Sequence, residues 1–137
     1  MTLTKTERTK ILRRVNRQSA TIGAKTPETI TVHGDTLELQ EFIIETRKID
    51  VIPLAAQETL SAAIDVLRDE RLERIDQLKN SPLDTETAET IADEITGIDR
   101  AFNALTTIRR PSFGDEVRSS SVDDHKRWLG FLETVRV

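Results

Sequence analysis

TETAETIADEITGIDRAFNALTTI, Thr85–Ile108, is the stretch on which the fold turns. Ala88, Ile91, Ile95, Ile98, Phe102 and Leu105 recur there at alternating steps of three and four residues. That spacing sets the apolar side chains along one side of an α-helix, as a seam for a second helix. Asp84 stands just before the run, where a carboxylate can accept from a free backbone N–H of the first turn. Upstream, Asn80-Ser81-Pro82 interrupts the helical pattern, and a second long helix is predicted from about Pro53, a good first-turn residue, to Lys79. Leu60, Ile64, Leu67, Ile75 and Leu78 share one of its faces, with Leu72 at the edge. So short a break between two long helices predicts an antiparallel pair. Burying each large member of the seam contributes roughly 1.5–3 kcal/mol, which makes this pair the expected core. Two further details lie inside it. Glu70 and Arg74 form an i,i+4 ion pair worth a few tenths of a kcal/mol. Gly97 marks a close helix contact, with Asp99 and Arg100 as a surface ion pair nearby; the less favoured reading is a small polar notch used by a partner.

Working outward, the first helix is predicted over about Thr4 to Gln18. Thr4 and Glu7 have the T-x-x-E spacing of a capping box. Ile11, Leu12 and Val15 form a narrow apolar stripe, and Lys10, Arg13, Arg14 and Arg17 fill the rest of the surface. Gly23 and Pro27 mark a loop. Glu28–Val32 alternates polar and apolar residues, His33-Gly34-Asp35 reads as a turn, and Thr36–Glu38 returns as a second strand. Leu39 to about Lys48 reads as a helix with Leu39, Phe42, Ile43 and Ile44 facing inward. Arg109-Arg110-Pro111 ends the long seam helix, and Ser112–Ser120 is a polar loop. Ser121 and Asp124 suggest a cap, and a last helix carries Trp128, Leu129, Leu132 and Val135, with Trp128 expected to lock it onto the core. The expected fold is mainly α: a long antiparallel helical hairpin, flanking N- and C-terminal helices and one small β-hairpin. It forms a single domain over residues 1–137, with the basic helix at about 4–18, the β-hairpin at about 28–38, the helical core at about 39–108 and the C-terminal helix at about 121–135.

Composition narrows the chemistry. Apolar residues are 36% and charged residues 32% of the 137-residue chain, against usual shares of about 45–50% and 25%. That balance suits thin helices with broad wet faces. With no cysteine, disulfides, iron–sulfur clusters and thiol nucleophiles are excluded. The early charge at the N-terminus and the lack of a long apolar stretch point to a cytoplasmic protein with no membrane span. No glycine-rich phosphate cradle, no G-x-S-x-G elbow and no E-x-x-H ligand spacing occurs. Glu89 with Asp93 reads as a solvated face, and Asp123-Asp124-His125 as a helix N-terminus. His33 reads as a solvated turn residue. No catalytic residue, metal or cofactor is expected.

Charge is uneven. Residues 1–25 carry +6, residues 26–99 carry −12 and residues 100–137 carry +2, giving the net −4. The basic face of the first helix has two readings. It packs on the acidic body of its own chain, or its cations reach a partner. The candidate partner or phosphate contacts are Lys10, Arg13, Arg14, Arg17, Arg109 and Arg110. The acidic remainder and the scarcity of aromatic residues for base stacking disfavour nucleic acid. The expected function is therefore a non-catalytic protein-binding or adaptor module whose partner is another protein. The alternatives are a nucleic-acid-associated protein using the basic helix, and an enzyme with an unrecognised site. Helix faces outside the seam leave room for a homodimer.

Val15–Ala24 (VNRQSATIGA), Glu41–Glu45 (EFIIE), Gly97–Leu105 (GIDRAFNAL) and Lys126–Leu129 (KRWL) resemble, in the same order, an uncharacterised family of small proteins from haloarchaea. The resemblance implies an archaeal cytoplasm and brings no catalytic residues with it. The pI of about 5.3 is mild beside that of a strongly salt-adapted protein.

Overall fold

The computed structural model of the chain describes residues 3–18, 27–52, 56–108 and 126–136, with side chains of the first helix defined as far as Val15. The elements run α1 (Lys5–Gln18), β1 (Thr29–Val32), β2 (Asp35–Glu38), α2 (Leu39–Arg47), α3 (Gln57–Asn80), α4 (Thr85–Thr106) and α5 (Lys126–Arg136). Pro53, the Gly23 loop, Arg109-Arg110-Pro111, the 112–120 loop and the Ser121 and Asp124 caps lie outside the described residues.

The break between the long helices works as its residues suggest. An Asp84 carboxylate oxygen accepts from the Thr87 N–H at 2.7 Å and starts α4. The chain then runs back along α3. Leu78 clusters with Ala88 and Ile91, Arg71 Nε donates to Asp99 Oδ1 at 2.6 Å, and Leu60 shares a groove with Leu105. Rising positions on α3 meet falling positions on α4, so the pair is antiparallel. Ala88, Ile95, Ile98 and Leu105 are fully buried. Gly97, Ala101 and Ala104 are buried beside them, small residues that let neighbouring helices approach closely.

One end of the pair packs on α1, where Ile11 and Val15 join Leu78, Ile91 and Ile95. The capping box forms in full: the Glu7 N–H donates to Thr4 Oγ1 at 3.1 Å and the Thr4 N–H to Glu7 Oε1 at 3.3 Å. The Leu3 N–H donates to the Leu83 carbonyl at 2.7 Å, which ties the start of α1 to the α3–α4 connection.

The other end carries the hairpin, α2 and α5. β1 and β2 pair antiparallel from Thr29↔Glu38 to Val32↔Asp35. His33 and Gly34 form the two-residue turn, both with positive φ (51° and 81°), the pattern of a type I′ turn that matches strand twist. Ile30, Val32 and Leu37 point into the core with Leu39 and Phe42 of α2. A two-stranded ribbon is marginal alone and persists here by that burial.

Two inward assignments, Ile44 and Phe102, are corrected, and the edge residue Leu72 proves to lie outside the contact. Ile44 is 48% and Leu72 58% exposed, and Phe102 is only half-buried, with the Arg68 guanidinium 5.8 Å above its ring. On α2 the inward row is Leu39, Phe42, Ile43 and Thr46. A threonine takes the place assigned to Ile44 because its hydroxyl is satisfied: Thr46 Oγ1 donates to the Phe42 carbonyl at 2.7 Å and accepts from Trp128 Nε1 at 3.1 Å. Trp128 thereby fixes α5 on α2, with Leu132 and Val135 buried behind it. Thr46→Val keeps the shape but leaves the buried indole N–H without an acceptor. It should lower stability by about 1–3 kcal/mol, read as a shift in the urea midpoint.

Two caps carry a pH signature. Hydrogen bonds from Thr4 hold the Glu7 carboxyl below its usual value, and those from Thr87 do the same for Asp84. A depressed carboxylate stabilises the fold above its unfolded-state pKa, and that contribution is lost as pH falls through the folded value. Acidification below the ordinary carboxylate range should therefore fray the starts of α1 and α4. Glu7→Gln with Asp84→Asn should flatten the dependence of melting temperature on pH in that window.

Candidate functional site

The basic helix is the first place to look, and it is partly occupied by its own chain. Arg8 reaches the C-terminal end of α3, where free carbonyls attract cations. Its guanidinium donates to the Leu78 carbonyl and, at 2.8 Å, to that of Ser81. Arg14 forms an ion pair with Glu89 of α4. Lys10 and Arg13, three residues apart, remain exposed on the outer side of α1. The side chain of Arg17, and Arg109 and Arg110, lie outside the described residues. Of the six sequence-derived contacts, the structure thus places Lys10 and Arg13 at the surface and Arg14 against the acidic body.

A second site was not legible as one in the sequence. Where the hairpin turn meets α3 and α4, a notch of about 340 Å³ is bordered by His33, Glu70, Glu73, Arg74, Gln77 and Glu94. Arg74 lies at its base, 7% exposed. Its Nη2 donates to the Thr31 carbonyl at 2.8 Å, and its Nη1 donates to Glu70 Oε2 at 2.7 Å and to the Glu70 carbonyl at 3.1 Å. Glu94 Oε1 stands 3.6 Å from its Nε. Glu70 also accepts from the His33 N–H at 3.3 Å, and its carboxylate lies 4.0 Å from the imidazole Nδ1. One guanidinium therefore clamps the ribbon, α3 and α4 together, and the expected surface pair is a buried cluster. The signal that could have found it is position: Arg74 falls seven residues after Leu67 and four before Leu78, on the inward stripe.

Chemically, the notch presents surplus negative charge, with three carboxylates around one arginine. The arginine's bonds go to protein oxygens. No group of three or more histidine, aspartate or glutamate side chains suited to a metal ion occurs among the described residues. Farther along α3, a groove of about 310 Å³ runs over Leu67, Ile98 and Phe102, walled by Arg68 and Arg71. A larger depression of about 600 Å³, near Leu60 and Leu105, ends at Ile52 and Ile108, beside residues outside the described set. No helix among the described residues is long and apolar enough to cross a membrane.

Fold and site define a mainly helical protein built on an antiparallel helix pair, with a small ribbon pinned to it by a buried arginine. Residues 3–133 match DUF5788, a family of unknown function, and the chain belongs to that family. No curated protein and no solved structure shows a detectable match to it.

Proposed function

We propose that the protein is a non-catalytic binding module that engages another protein through its charged helical surface. The observation that supports this most is the bonding of Arg74. The buried arginine and its carboxylate partners are taken up in holding hairpin to helices, so this cluster is not offered to a substrate. Catalysis draws on titratable groups kept available in a cleft. The charged, cysteine-free composition fits a cytoplasmic setting. The test is capture from native lysate at native salt, followed by titration of the purified partner. Saturable binding of a defined protein is expected. Retention no greater than on an unrelated acidic protein of the same size would refute the reading.

A second reading keeps nucleic acid as the partner, favoured by the exposure of Lys10 and Arg13 on one face of α1. Binding to duplex DNA or single-stranded RNA must then fall steeply with salt, and Lys10→Glu with Arg13→Glu must abolish it. Absence of binding at low salt ends this reading.

A further inference from the structure

We infer that the outward face of α3, together with the groove it shares with α4, docks a basic amphipathic helix of a partner protein. This rests on the binding-module reading and names its surface. Leu72 is the most exposed large apolar side chain among the described residues, at 58%, and it stands in the middle of α3. Side chains three and four positions apart are neighbours on a helix. Leu72 is therefore flanked by Arg68, Asp69 and Asp76, and Glu73 adjoins Asp69 and Asp76 in the same way.

The charges on this face do not balance. Arg68 lies 3.6 Å from Asp65, and Arg71 is bonded to Asp99, so both arginines are answered locally. Asp69 and Glu73 are exposed and have no ion-pair partner among the described residues. They sit at i and i+4, a spacing at which like charges repel and weaken a helix. Cations supplied from outside would relieve that repulsion. On the opposite side of Leu72 from those carboxylates, and walled by Arg68 and Arg71, the groove over Leu67, Ile98 and Phe102 has room for an apolar side chain. An apolar anchor, a second apolar contact at Leu72 and a flanking acidic strip together describe the counterpart of a helix with leucines on one face and lysines or arginines beside them. An acidic or purely apolar partner would leave the carboxylates unanswered.

The experiment titrates the full chain with a fluorescent leucine–lysine amphipathic peptide and, separately, with a leucine–glutamate peptide of equal length. The lysine peptide should bind and weaken with salt, and the glutamate peptide should not bind. Leu72→Ser should weaken binding about tenfold with the salt slope unchanged. Asp69→Asn with Glu73→Gln should weaken it by a similar factor and flatten the slope. All these positions are exposed, and circular dichroism should show an unchanged fold. Equal losses from Asp35→Asn with Glu86→Gln, carboxylates of the hairpin and of the first turn of α4, would make the effect general attraction and overturn the inference. So would binding indifferent to the α3 variants, equal binding of the glutamate peptide, or no binding. A change in sedimentation of the free protein on Leu72→Ser would assign the face to a second copy and overturn it as well. A native partner that binds the α3 variants as it binds the parent would remove this surface while leaving the binding-module reading standing.

Discussion

Ile95→Asp is expected to abolish cooperative folding. Ile95 is fully buried in the middle of α4, among Val15 of α1, Leu78 of α3 and Ile91 of its own helix. Removing the isoleucine forfeits roughly 1.5–3 kcal/mol of burial. The aspartate must then either be buried as an unpaired ion or force the helices apart, at a cost of several kcal/mol more. The sum rivals the whole stability of a domain this size, on the order of 5–15 kcal/mol. Thermal or urea unfolding followed by far-ultraviolet circular dichroism should show no cooperative transition. Ile44→Asp is the matched control: the same change at a half-exposed site should stay within about 0.5 kcal/mol of the parent. An Ile95→Asp protein melting where its parent melts would mean that the interior lies elsewhere.

Arg74→Met carries the second largest expected effect and separates a buried clamp from a surface pair. A surface pair at i,i+4 contributes a few tenths of a kcal/mol. The observed arginine is buried, bridges Glu70 and Glu94, and holds the Thr31 carbonyl of the ribbon. Methionine fills similar volume but leaves those acceptors facing no donor, and breaking one side of a buried pair costs about 3–5 kcal/mol. The denaturant midpoint should fall accordingly, and hydrogen exchange in β1 and β2 should accelerate most. Combining Arg74→Met with Glu70→Gln should recover part of the loss, since the stranded charge is gone. A double-mutant cycle measures that coupling. A loss under about 0.5 kcal/mol would return Arg74 to the surface pair that its spacing alone suggests.

The same contrast explains why the site was harder to read than the fold. Four of the six candidate cations, Lys10, Arg13, Arg14 and Arg17, group in the sequence because they share one short helix and one sign of charge. In space, Arg14 turns to Glu89, while Lys10 and Arg13 face water. Arg8, outside that group, proves to be a cap for the end of α3. Charge counting along a chain reports how much charge an element carries and is silent on which side it faces. Leu72 is a similar case. Its place at the edge of the apolar stripe permits either side, and in the packed helices it faces solvent.

What the sequence by itself determined is local. The seam on α4, the Thr4–Glu7 box, the Asp84 cap, the His33-Gly34 turn and the antiparallel sense of α3 and α4 all follow from interactions within a few residues or from the shortness of one connection. What only the tertiary structure decided is the fate of polar groups whose partners are remote in the chain. Arg74 meets Thr31 across 43 residues, Arg8 meets Ser81 across 73, and Trp128 meets Thr46 across 82. A buried polar side chain is tolerated only where such a partner arrives. Periodicity records the spacing of apolar positions but not the arrival of a distant oxygen, so what makes Thr46 and Arg74 tolerable in the interior emerges only when the helices and the ribbon are packed together.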